Sequence, residues 1–241
     1  FVTGRTKRAI EDHFDKSIEL EVELEARGKD EMLAVVRQML PPGVSCVYIR
    51  QPEPLGLGHA VLCALPAVGD EPFAVILPDD LIYTEGRGCL EQMIDVFETY
   101  NASVIAVEEV PQEDTDKYGI VAVQPGQGPA LDVTQIVEKP SPDAAPSRLA
   151  VVGRYILDGK IMQNLAHTGR GAGGEIQLTD AIAELVQSDQ DRVMAYRFEG
   201  RRFDCGSKLG YLEATVELAL KHEELGAPFR AYLDRLNSGH R

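Results

Sequence analysis

Phe73-Ala74-Val75-Ile76-Leu77-Pro78-Asp79-Asp80 is an apolar run that stops abruptly on a proline and two carboxylates. Five apolar residues without alternation read as a strand covered on both faces. Residues 46–51 and 103–107 repeat the pattern, and these three runs are expected as central strands. Between them, residues 58–65 and 89–100 read as helices; in the second, Leu90, Met93, Ile94 and Phe97 recur at helical spacing. The alternation defines an α/β fold with a mainly parallel mixed sheet and helices on both faces. Working outward, residues 15–40 form one helical stretch whose glutamates make a solvated face, closed by Pro41-Pro42-Gly43. Strands expected at 118–123, 131–139 and 149–157 suggest a mixed or antiparallel insertion on the parallel core. A helix over 175–186 and strands at 193–198 and 202–204 follow. Residues 1–206 are thus read as the α/β domain. Residues 207–241 are read as a helical segment with an apolar face, Leu212, Ala214, Val216 and Leu218, suited to the sheet or to a subunit contact.

Composition narrows the class. Of the 241 residues, 44% are hydrophobic and 26% charged, the balance of a globular domain rather than a disordered, collagen-like or coiled-coil chain. No apolar run approaches the roughly 18 residues of a membrane span. Asp and Glu number 39 against 24 Lys and Arg, a net charge of −15, which repels a polyphosphate backbone and argues against nucleic acid as a partner. An anionic small molecule bound here needs a divalent cation or focused lysines to offset that field. Cys46, Cys63, Cys89 and Cys205 are widely spaced, with no Cys-x-x-Cys pair, and read as buried thiols of a reduced cytoplasmic protein.

In open α/β sheets ligands bind beyond the carboxyl ends of the strands, so residues ending apolar runs carry the candidate chemistry. Asp79 can hold Mg2+ while phosphates and waters complete the shell, or serve as a turn aspartate. The stretch Arg50-Gln51-Pro52-Glu53-Pro54-Leu55-Gly56-Leu57-Gly58-His59-Ala60 ends a strand, crosses a glycine loop and opens a helix. Glycine admits a flat ligand close to the backbone, and the Gln51 amide both donates and accepts, which suits a nucleobase edge; an ordinary strand-to-helix turn explains the same residues. In Ile136-Val137-Glu138-Lys139-Pro140 the acid and the base alternate to opposite faces, yet Pro140 ends the ladder and twist there can bring both to one crevice. Glu138 would then accept from sugar hydroxyls and Lys139 offer a point charge to a phosphate; a surface ion pair is the alternative. Asp204 ends a strand in Phe203-Asp204-Cys205-Gly206-Ser207-Lys208, with Ser207 as the helix N-cap. His59 reads as a packing residue at its helix start, and His13, His167, His222 and His240 are given no catalytic role. Hydrolase, zincin and P-loop readings find no motif here.

Taken in order, these stretches resemble the bacterial UTP–glucose-1-phosphate uridylyltransferases, a branch of the sugar nucleotidyltransferase superfamily. The likeness rests on residues 51–60, Ala74-Val75-Ile76-Leu77-Pro78-Asp79, Lys117-Tyr118-Gly119, Val137-Glu138-Lys139-Pro140 and Val152-Gly153-Arg154-Tyr155. It continues through Gly173-Gly174-Glu175-Ile176-Gln177-Leu178-Thr179-Asp180-Ala181-Ile182 and Asp204-Cys205-Gly206-Ser207-Lys208-Leu209-Gly210-Tyr211. The resemblance implies a Rossmann-like domain that joins UTP and glucose 1-phosphate into UDP-glucose, releasing pyrophosphate, with Mg2+. By the same resemblance Gln51 reads the uracil edge, Gly56 brings backbone against it, and Asp79 and Asp204 hold Mg2+. Gly119 and Glu138 bind glucose hydroxyls, Lys139 the sugar phosphate, and Tyr155 lines the sugar pocket. It further implies a cytoplasmic homodimer or homotetramer. A thymidylyl transferase, or a module that binds a nucleotide sugar without turnover, are the alternatives.

One departure stands out. The family carries a Gly-x-Gly-Thr-Arg loop and a Pro-Lys-Glu segment near its N-terminus, and these 241 residues contain neither; Phe1-Val2-Thr3 reads as the tail of a strand, and the natural start is expected upstream. A purified protein of this exact sequence is therefore expected to be inactive and poorly folded. Pyrophosphate release on the 241-residue chain checks this, and robust turnover would show it wrong.

Overall fold

The computed structural model describes residues 1–188 and 190–239; His240 lies outside the described residues. The first elements are β1 (Val2–Thr3), α1 (Arg8–Phe14), α2 (Ile18–Ala26), α3 (Asp30–Arg37), β2 (Ile49–Arg50), α4 (Leu57–Cys63) and α5 (Leu65–Val68). There follow β3 (Phe73–Ile76), β4 (Asp80–Tyr83), α6 (Cys89–Tyr100), β5 (Ser103–Glu109), β6 (Gly119–Val123), β7 (Ala130–Glu138) and β8 (Leu149–Leu157). The chain ends through α7 (Ile161–His167), α8 (Leu178–Gln187), β9 (Val193–Arg197), β10 (Arg201–Asp204), α9 (Lys208–Lys221) and α10 (Gly226–Asn237). Two compact units result: Phe1–Glu71 with Gly159–Ala181, and Pro72–Asp158 with Ile182 onward.

In the first unit β1 and β2 pair in parallel. The strand expected over 46–51 shrinks to these two residues; Ile49 and Gln51 donate to the Phe1 and Thr3 carbonyls, the Val47 carbonyl accepts from the Phe1 ammonium, and Val44 and Val47 are exposed. The single helix expected over 15–40 is two. Gly28, at φ 64°, ends α2, and the Lys29 N–H returns 2.9 Å to the Leu24 carbonyl, a left-handed glycine cap that stops a helix. The glutamate face is solvated except at Glu21, which is buried and takes the Arg37 guanidinium at 2.9 Å. α4 packs on α7; a Cβ on Gly58 would lie 2.9 Å from Leu165 Cδ2, so glycine permits that approach.

The second unit is built on a six-stranded sheet in the order β3-β8-β5-β9-β7-β6, with a two-stranded β4–β10 ribbon. The mixed α/β class with C-terminal helices stands as expected. The balance of directions differs: within the large sheet β5 and β9 run parallel and the other pairings are antiparallel. β8 is not part of an insertion but lies between β3 and β5. Buried nearly throughout, it shows none of the polar alternation that marks an antiparallel strand in sequence. β3, expected at the centre, is the edge strand, with Ile76 54% exposed; a short Val/Ile run reads alike at either place. α6 has the expected limits and seals one face, with Cys89, Met93 and Val96 packed among Val104, Ala106, Val152 and Ile156. Ser207 caps α9 by accepting the Gly210 N–H at 3.0 Å.

All four cysteines are free, and Cys89 alone is buried. Burial pushes its thiol up to about 11, against a smaller opposing pull from Arg154, so it is an inert packing group. Met93 is fully buried at the centre of the α6 contact. Met93→Ala is expected to cost about 2–5 kcal/mol, read as a lower urea midpoint at unchanged slope.

Candidate functional site

The glycine loop of the first unit is held at both ends. Beyond β2, the Leu55 carbonyl accepts the Ile176 N–H at 2.7 Å, and the Gly58 N–H donates to the Ile176 carbonyl at 2.9 Å. Gly56 sits between them at φ 101°, where a Cβ would lie 2.7 Å from Glu175 Cβ and 2.8 Å from the Ile176 carbonyl oxygen. Both the backbone angle and the space therefore require glycine. Gln51 folds over this loop, its Nε2 donating to the Gly56 carbonyl at 3.0 Å and meeting His59 Nδ1 at 3.1 Å. The 175–177 segment, expected as the start of a helix, is the clasp of the loop; α8 begins only at Leu178. The signal lay in Gly173-Gly174, both at positive φ, a turn that the Gln177 amide closes on the Ala172 carbonyl at 3.0 Å.

In the second unit the two strand-end aspartates, distant in sequence, come together. β4 and β10 pair antiparallel with Asp80 opposite Asp204, and the Asp79 carbonyl accepts the Cys205 N–H at 2.7 Å. Asp79 Oδ2 and Asp204 Oδ1 each lie 3.1 Å from the place a Cβ would take on Gly206, so the two oxygens are no further apart than twice that distance. Gly206 leaves the space between them open. Among the described residues no group of three or more His, Cys, Asp or Glu side chains is placed to hold a metal. Two carboxylates with room between them fit Mg2+, which keeps waters and takes substrate phosphates as its remaining ligands.

Asp80, next in sequence to Asp79, does the opposite work. It is buried, accepts the Gly153 N–H at 2.6 Å and pairs with Arg202, whose guanidinium reaches Glu108 at 2.6 Å and lies 5.1 Å over the Tyr118 ring. Burial works against the Arg202 charge, but Asp80, with hydrogen bonds to it, Tyr118 and Glu108, more than offsets this and raises its pKa above the ordinary arginine value. Arg154 completes the frame, donating to the carbonyls of Leu77, Gly153 and Asp80 at 3.0, 2.8 and 2.7 Å. A Cβ on Gly153 would sit 2.5 Å from Asp80 Oδ2. Sequence reasoning missed Asp80, Gly153, Arg154 and Arg202 as the frame of the site.

Gly119 and Glu138 face each other across β6 and β7. The ladder stops at Glu138, and Lys139 turns into left-handed backbone at φ 46°, a conformation uncommon for a residue with a side chain. Its N–H donates to the Tyr118 carbonyl at 3.0 Å, and its Nζ lies 3.5 Å from Glu138 Oε1. The turn thus undoes the strand alternation and gathers acid and base at one strand end. Tyr155, on β8, is buried; burial first, then the nearby charges of Glu138 and Asp80, push its hydroxyl pKa up.

Two carboxylates that leave most of an ion's shell to substrate phosphates belong to phosphoryl- and nucleotidyl-transfer chemistry. Residues 4–221 match the nucleotidyl transferase family, and the chain belongs to it. Within that family it is 48% identical to the UTP–glucose-1-phosphate uridylyltransferase YngB of Bacillus subtilis (strain 168), over 97% of this chain and 77% of that protein. Among solved structures it is similar to a UTP-bound UGPase from Acinetobacter baumannii, with a TM-score of 0.89 and 47% identity over 98% of this chain and 82% of that one. A UDP-glucose pyrophosphorylase complexed with UDP-glucose matches at a TM-score of 0.82 and 39% identity, over 92% and 80% of the two chains.

Removing the Arg202 charge leaves Asp80 buried and uncompensated. Arg202→Met is expected to destabilise the protein by about 3–5 kcal/mol, with part of the loss recovered in the Arg202→Met/Asp80→Asn double variant; chemical denaturation of the single and double variants measures both.

Proposed function

We propose that the protein to which these residues belong transfers a uridylyl group from UTP to glucose 1-phosphate, giving UDP-glucose and pyrophosphate. The observation that carries the reading is the meeting of Asp79 and Asp204 across Gly206 in a chain of the nucleotidyl transferase family. The reaction is an in-line displacement: a phosphate oxygen of glucose 1-phosphate bonds to the α-phosphorus of UTP, and the bond from that phosphorus to the oxygen it shares with the β-phosphorus breaks, so that this oxygen leaves on pyrophosphate. The attacking oxygen is already anionic, so no general base is required, and the protein's part is orientation and charge neutralisation.

Asp79 and Asp204 are the residues that would hold Mg2+, which when bound supplies positive charge against the nucleotide phosphates. Lys139, half exposed at its strand end, brings a point charge to the sugar phosphate. Glu138 and Gly119 take glucose hydroxyls, and Tyr155 lines that pocket. In the loop of the first unit, Gln51 reads the uracil edge, with the backbone at Gly56 against the ring. Among the described residues no helix is long and apolar enough to cross a membrane, and we place the enzyme in the cytoplasm. We assign residues 207–241 to a contact in a homodimer or homotetramer, since Leu209, Leu212, Leu225 and Leu236 are exposed there and burial of such apolar side chains between subunits is favourable.

Calorimetric titration of UTP with and without Mg2+ tests the metal pair. Asp79→Asn and Asp204→Asn are each expected to weaken the Mg2+-dependent binding by about tenfold or more, one ligand charge at about 1.4 kcal/mol per decade. Mg2+-dependent affinity unchanged in both variants would overturn the reading. Pyrophosphate release that needs both UTP and glucose 1-phosphate separates a transferase from a module that only binds, and dTTP in place of UTP tests the base.

A further inference from the structure

We propose that His59 is a positioning residue for base selection: together with the Gly56 carbonyl it holds both hydrogens of the Gln51 amide, so that only an acceptor faces the base. The proposal rests on the reading of Gln51 as the residue at the nucleobase edge. The assignment of the amide follows from its neighbours. The Gly56 carbonyl can only accept, so the Gln51 atom 3.0 Å from it is the nitrogen. That carbonyl also accepts the Ala60 N–H at 3.1 Å, which fills its two lone pairs.

The second hydrogen on Nε2 points to His59 Nδ1 at 3.1 Å. Nδ1 must therefore carry a lone pair, which puts the ring proton on Nε2, toward the Cys63 sulfur at 3.9 Å. Gln51, His59 and Cys63 thus form a chain with one direction of donation, and both amide hydrogens are consumed within the protein. What remains for a ligand is Gln51 Oε1, an acceptor. Uracil presents an N–H at ring position 3, and cytosine presents a lone pair there. With His59 gone the second Nε2 hydrogen is unspent and the amide is held only at the Gly56 carbonyl, which the Ala60 N–H also occupies; an amide so loosened can offer a donor to that lone pair, and one held at both hydrogens opposes it. The expected helix-start packing role for His59 gives way to this contact.

The test is the ratio of UDP-glucose to CDP-glucose affinity, measured by calorimetry in the unsubstituted protein and in His59→Leu, His59→Asn and Gln51→Ala. His59→Leu removes the acceptor, and the preference for UDP-glucose is expected to fall by about tenfold, the worth of about one net hydrogen bond. His59→Asn, whose side-chain oxygen takes the place of Nδ1, is expected to restore it. A merely structural histidine would lower the thermal midpoint in both variants and leave the ratio alone. An unchanged ratio in His59→Leu, or no recovery in His59→Asn, overturns the proposal. If Gln51→Ala also leaves the ratio unchanged, or if the unsubstituted protein does not bind UDP-glucose, the base-site reading itself falls; a ratio that moves in Gln51→Ala but not in His59→Leu sinks the positioning role alone.

Discussion

An arginine and an aspartate withdrawn from water together organise the second unit. The side chains of Arg202 and Asp80 are 7% and 9% exposed, and neither could be buried alone, since an isolated charge in that setting costs several kcal/mol. Each stands beside a carboxylate that faces outward: Asp80 follows Asp79, and Arg202 lies two residues before Asp204. The inner pair thereby fixes the register of β4 against β10, and with it the spacing of the outer pair. Through Glu108 and Tyr118 the same guanidinium reaches the segment that leads into Gly119. A buried polar network with every partner in place gives rigidity where loops alone would wander, and among the described residues no buried side-chain nitrogen or oxygen is left without a partner.

The first unit solves a different problem, the presentation of backbone. Its loop closes against the 175–177 segment, and Gly56 permits this because a Cβ there would meet Glu175 and Ile176. Here the rigidity comes from main-chain hydrogen bonds rather than charge. The aspartate pair and the glycine loop therefore rest on unlike physics.

Much of this was legible in the residues alone. Asp79 and Asp204 stand out because the one ends an apolar run and the other an expected strand, and strand ends are where an α/β sheet places its ligands. The length of α6 followed from its periodicity. Asp80 did not stand out, since two adjacent aspartates look alike in sequence and only a partner more than a hundred residues away decides which one is buried. Strand direction was equally hidden: β8, apolar on both faces, fits a parallel or an antiparallel neighbour. The position of Lys139 was posed correctly as a conflict between alternation and a shared crevice, but its resolution, a left-handed turn at one residue, leaves no trace in the order of side chains.

The burial of the Arg202–Asp80 pair carries a consequence for how this protein responds to salt. Dissolved ions screen exposed charges strongly and buried ones much less. Raising the ionic strength therefore loosens surface pairs such as Arg87 with Glu91 and Asp95 and leaves the β4–β10 register in place. The frame around Asp79 and Asp204 is held by an electrostatic contact that a concentrated electrolyte does not dissolve.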